Sequence, residues 1–155
     1  MGKEKKRLAK INSLLISNVK SENMFLDMLD NIDHDLLKNF LRVASYERNQ
    51  FVKALDAHLR SKGITPSYPE ETLQEGNNTP TELITIIAKN DYISALSYIG
   101  KIQIRAIEQY KKALNNTEFS DNGESLLSEQ LDTLIKSLYS IEVYKDLIVR
   151  NAVSA

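Results

Sequence analysis

A chain of 155 residues, 42% hydrophobic and 26% charged, has the composition of one soluble domain that buries about two-thirds of its unfolded surface. With 20 basic and 21 acidic side chains its net charge is −1, which excludes a global field drawing it to nucleic acid or anionic lipid. It has no cysteine, which excludes disulfides, thiolate metal sites and cysteine nucleophiles. No apolar run approaches the ~20 residues of a membrane span. The basic opening MGKEKKRLAKINSLLIS is soon interrupted by Lys10 and Asn12, and no cleavage site follows. Neither a membrane segment nor a secretory signal is expected, and the cytoplasm is the expected compartment.

Apolar residues recurring at steps of three and four predict four long amphipathic helices and a short one. The first spans about 5–32, with Leu8, Ile11, Leu15, Phe25, Leu29 and Ile32 on one stripe. The second spans about 34–61, capped by Asp33 or Asp35, with Leu37, Phe40, Ala44, Phe51, Leu55 and His58 facing in. Gly63 suits a left-handed helix end, and Pro66 and Pro69 forbid resumption. Residues 64–78 are polar and turn-rich. Thr79, Pro80 and Glu82 then read as a capping box with proline opening a short helix, about 80–89. Asp91 caps the next long helix, about 92–114, whose stripe is Ile93, Leu96, Gly100, Gln103, Ile107, Tyr110 and Leu114. The stretch NNTEFSDNGES makes a loop. The last helix spans about 125–150, with Leu127, Leu131, Leu134, Leu138, Ile141 and Ile148 inward.

Two short connections flank one long one. The expected fold is therefore all-α: a ferritin-like four-helix bundle whose up-down pairs are joined by a long crossover containing a short extra helix, one domain over residues 1–155. The second helix reads LLKNFLRVASYERNQFVKALDAHLRSKG, in the pattern Leu-x-x-x-Phe-x-x-x-Ala-x-x-Glu-Arg. Together with AIEQYKKAL at 106–114 and LDTLIKSLYSIEVYKDL at 131–147, it resembles a bacterial family of ferritin-like proteins, described mainly as a domain of unknown function. The resemblance covers roughly residues 8–148. It implies the bundle fold and a stress-related role, and it implies no established reaction.

A ferritin-like di-metal site takes a Glu from each of two helices and a Glu-x-x-His from each of the other two, because three-residue spacing puts both ligands on one helix face. Here the first helix offers Glu22, one heptad after Leu15 and one before Leu29, where the family pattern places a ligand. The second offers Glu47, with Gln50 in the histidine position. The third long helix offers Gln103, a neutral and poor ligand, and the last offers only Ile135 and Leu138. Glu22, Glu47, Gln50 and Gln103 thus describe either a vestigial polar layer or a weak site for iron or another divalent cation. The degenerate layer is the expected state, with no cofactor and no catalysis. In it Glu22 and Glu47 face each other near Gln103 and the hydroxyl of Tyr139. Either they share a proton, or Arg48 folds back to neutralise one of them.

His34 reads as a solvated residue at a helix start, and His58 as a boundary residue. Neither has an acidic partner on an inward face, so no histidine-based hydrolase or zinc site assembles. The glycines are isolated, which leaves no phosphate loop. Lys3, Lys5, Lys6, Arg7 and Lys10 surround Glu4 and read as a solvated helix end rather than a nucleic-acid arm. Ile102 and Ile104, with Ile84, Ile86 and Ile87 of the short helix, leave apolar surface. The short helix is expected to pack there, and the surplus points to a homodimer.

Overall fold

The computed structural model describes residues 2–70, 79–115 and 121–154. It is an all-helical bundle of α1 (Gly2–Asn31), α2 (Asp35–Ser61), α3 (Thr81–Ala88), α4 (Tyr92–Asn115) and α5 (Asp121–Ser154). The four long helices and the short one stand where the periodicity puts them, and the last begins about a turn earlier than expected. The turn-rich residues 71–78 and the loop residues 116–120 lie outside the described residues.

The helix ends show which local signals governed. Gly63 takes the left-handed conformation (φ 78°), so that its N–H reaches the Arg60 carbonyl and the Ile64 N–H reaches that of Leu59, each at 3.0 Å. Asn90 ends α3 the same way (φ 56°), with its own N–H on Ile87 O and that of Asp91 on Ile86 O. Asp91 caps α4 as expected, accepting from the Ser94 N–H at 3.1 Å and its hydroxyl at 2.7 Å. Two expected caps are replaced. His34, not Asp33 or Asp35, occupies the N-cap position of α2, with no side-chain cap bond among the described residues. Thr79 does not close a box on α3, because its hydroxyl donates to the Asp27 carboxylate of α1 at 2.6 Å, a charge-assisted bond stronger than a cap.

α1 packs on α2, α4 on α5, α2 on α5 and α1 on α4, while α3 lies on α4. Residue pairs give the directions. Phe25 and Met28 of α1 pack with Leu37 and Leu41 of α2 in one half of the core, whereas Ile11 and Leu15 pack with Leu55 and Leu59 in the other. Asn39 of α2 bonds Tyr144 of α5, whereas Gln130 of α5 bonds the Phe51 carbonyl. Each adjacent pair is antiparallel. Past α2, Ser67 is held by Asn12 in a reciprocal pair: the side-chain amide donates to Ser67 O at 3.0 Å, and the Ser67 N–H donates back to Asn12 Oδ1 at 2.8 Å.

The buried apolar side chains form two halves. One, toward the α1–α2 turn, holds Phe25, Met28, Leu37, Leu41, Leu96 and Ile141, and α3 adds Leu83, fully buried, with Ile86 and Ile87 against it. Ile102 belongs to this half, but Ile104 is 44% exposed, so the short helix covers only part of the surface expected of it. The other half holds Ile11, Leu15, Leu55, Leu59, Ile107 and Leu127. Among the described residues no helix is long and apolar enough to cross a membrane.

Candidate functional site

Between the halves, each long helix turns a polar residue inward on its apolar stripe. On α1 it is Asn18, one heptad from both Ile11 and Phe25; on α2, Arg48, one heptad from Leu41 and Leu55; on α4, Gln103, one heptad from Leu96 and Tyr110. α5 supplies Ser137 and Gln130. Residues seven apart share a helix face, so these side chains meet in one layer.

Arg48 is its centre, 1% exposed and the largest buried side chain of the molecule's described part. Its Nη1 donates to Asn18 Oδ1 at 2.8 Å and its Nη2 to Gln103 Oε1 at 2.5 Å. The guanidinium carbon lies 5.8 Å from the centre of the Phe25 ring. Gln103 passes the chain on through Nε2 to Ser137 Oγ at 2.8 Å. Asn18 donates to the Leu14 carbonyl at 2.8 Å and to the Tyr110 hydroxyl at 2.9 Å. Tyr110 donates to Gln130 Oε1 at 2.6 Å, and Gln130 Nε2 reaches the Phe51 carbonyl at 3.3 Å. All four long helices are thereby joined.

The electrostatics are unusual for a buried cation. Both acceptors of the guanidinium are neutral amides, and its Nε has no hydrogen-bond partner among the described residues. Burial brings the Arg48 pKa down to about 10, against the opposing pull of Tyr110 and Glu47, so the side chain stays charged at neutral pH. Burial also pushes Tyr110 up to about 12, with Asn18 and Arg48 working in the other direction.

The four candidate ligands are distributed around this layer. Gln103 is within it, bonded to Arg48 and Ser137. Glu22 is half-buried at the α1–α2 edge and accepts from Asn49 Nδ2 at 3.0 Å; burial raises its pKa, partly offset by Asn49 and Lys53. Glu47 is half-buried in a groove toward α5, beside Phe40, Ala44, Lys136 and Tyr144, and burial raises its pKa against the attraction of Arg48. Gln50 is exposed. Among the described residues no three His, Asp, Glu or Cys side chains stand where they can hold a metal ion together.

Other assignments change. Tyr139 is 74% exposed and takes no part in the layer, since its position turns it outward from α5. His34 is not simply solvated: its ring is tilted against Tyr92 at 4.7 Å, and its Nδ1 is buried. His58 is a half-buried boundary residue, its pKa lowered by burial and by Lys62. Lys3, Lys5 and Lys6 are exposed on the first turns of α1. The residues that sequence reasoning did not place in the core, Asn18, Arg48, Gln130 and Ser137, carry most of the network. For Asn18 and Arg48 the signal was heptad spacing to hydrocarbon on both sides, whereas Gln130 and Ser137 stand a heptad from each other.

Fold and layer together define a helical bundle with a charged polar waist whose hydrogen bonds join all four long helices. Residues 6–116 match the family described as Domain of unknown function (DUF2383), and the chain belongs to that family. No curated protein and no solved structure matches it.

Proposed function

We propose that the protein is a non-catalytic, cytoplasmic bundle of ferritin-like lineage whose di-metal site has degenerated into the Arg48 layer, and that it acts by association with a second copy or another protein in a stress-related role. The observation that carries this reading is the guanidinium itself. A di-metal site gathers carboxylates around cations, whereas here a fixed cation fills the middle of the bundle and its partners are amides and a hydroxyl. A metal ion brought beside Arg48 meets repulsion in a low-dielectric interior. Lineage is supported by the antiparallel neighbours and by the contacts of the long α2–α4 connection, which touches α1 at Asn12 and again at Asp27. The stress role rests on the family resemblance alone. Association is supported by Val43 and Tyr46 on α2 with Tyr139 and Val143 on α5, each at least half exposed, beside the groove that holds Glu47.

The competing reading is a weakly bound iron or other divalent cation held by Glu22, Glu47, Gln50 and Gln103. The deciding experiment is iron loading of protein purified without chelators, followed by desalting, metal analysis and oxygen uptake. Substoichiometric metal and a buffer rate of oxygen uptake are expected, together with a dimer in analytical ultracentrifugation that Tyr139→Lys dissociates. One retained metal per chain, or iron-dependent oxygen uptake, would overturn the proposal.

A further inference from the structure

A buried charge without a charged partner is costly, and it is commonly compensated by a counterion. Arg48 lines the floor of an open groove of about 500 Å³ between α1 and α4. Lys20 stands on the α1 side and Arg105 and Lys112 on the α4 side, against one carboxylate, Glu108. Among the described residues neither Lys20, Arg105 nor Lys112 makes an ion pair. The rest of the lining is divided between the polar Ser17, Ser21 and Gln109 and the apolar Met24, Ile102 and Ala106, with Met24 and Ile102 together at one end. The second, independent observation is the Arg48 Nε: buried, protonated and unpartnered, on a side chain that is 1% exposed and belongs to this groove.

We propose that the α1–α4 groove binds a small amphipathic anion, a carboxylate or phosphate monoester with a short apolar body. Lys20, Arg105 and Lys112 surround the head group, the apolar body lies along Met24 and Ile102, and Arg48 supplies the charge beneath. The rim cations steer the anion and hold it in a setting screened by salt. Arg48 acts at short range and at low dielectric, where a like charge is worth more. Inorganic phosphate meets the cations but leaves the apolar strip uncovered. A neutral amphiphile covers the strip and leaves Arg48 uncompensated. Both features therefore belong to one ligand.

Titration calorimetry with octanoate, octyl phosphate, inorganic phosphate and octanol tests this on the full chain. Saturable binding of octanoate or octyl phosphate is expected, the tighter of the two identifying the head group. Phosphate should bind roughly tenfold more weakly and octanol not at all. The triple variant Lys20→Gln/Arg105→Gln/Lys112→Gln, confined to surface positions, should lose roughly tenfold or more in affinity, with a flatter salt dependence. Arg48→Met should lose binding as well while keeping its helical circular dichroism; if it does not fold, the rim variant decides alone. Absence of saturable binding by either anion, octanol binding as well as octanoate, or unchanged affinity in the rim variant would overturn the proposal. None of these readouts depends on whether the protein takes up metal.

Discussion

The two apolar halves of the bundle and the waist between them are built on the same helices, yet they specify different things. In the halves, Leu41 and Leu96 on one side and Leu15 and Leu55 on the other are completely buried and interchangeable in kind. Hydrocarbon of this sort gives stability in proportion to area and says little about which residue must face which. At the waist each group has a named partner: Asn18 and Gln103 for Arg48, Ser137 for Gln103, Gln130 for Tyr110. A slip of α2 by one heptad would leave the leucines packed and strand the guanidinium among side chains that accept nothing. The halves hold the bundle together, and the waist fixes its register, a role buried polar groups play in helical assemblies.

The largest expected effect lies in the halves. Leu41→Ala and Leu55→Ala, one from each, should each cost about 2–5 kcal/mol in urea unfolding, through lost burial and the cavity left behind. Closely similar losses would show the halves as equivalent, while a loss confined to one would mean that the other is dispensable. At the waist, Tyr110→Phe removes the hydroxyl that joins Asn18 to Gln130 and leaves Gln130 Oε1 without a donor. About 1–2 kcal/mol is expected for that bond, with little change in packing. A neutral result would mean that water or a rotated amide replaces it. The smallest effect belongs to Glu47 at the edge of the waist. Its folded pKa is raised because burial outweighs the attraction of Arg48, so its contribution to stability is present below the unfolded carboxylate pKa and lost as pH rises through the folded one. Glu47→Gln should therefore raise the melting temperature at pH 7 by roughly 1–2 °C, and the gain should fade on acidification. A fall at pH 7 would show instead that Glu47 is the counter-charge of Arg48.

Much of the fold was legible because its signals are local and redundant. The stripes of Leu and Ile, the Asp91 cap and the Gly63 stop each rest on one helix and on backbone geometry. The Thr79 box failed for the opposite reason: its competitor, Asp27, is fifty-two residues away. The waist was harder to read. Positions 47 and 48 both lie on the seam defined by Ala44, Phe51 and Leu55, and an arginine is ordinarily assigned to solvent. The heptad from Leu41 through 48 to Leu55 favoured Arg48, as the heptad from Ile11 through 18 to Phe25 favoured Asn18. Only the tertiary partners, supplied by α1, α4 and α5, explain why a charge rather than a methyl group is tolerated there. The α1–α4 groove has no sequence signature, since its cations are spread over two helices and look like ordinary surface.

The reciprocal pair between Asn12 and Ser67 has a consequence for self-association of a harmful kind. A chain leaving a helix in extended form offers its bare N–H and C=O groups as a template on which another extended chain can align and seed aggregation. At Ser67 both of those groups are already taken by one amide side chain, which imitates a neighbouring peptide unit. An all-helical protein thus covers the backbone of one residue beyond a helix end with a single asparagine, in the way a sheet protein covers an edge.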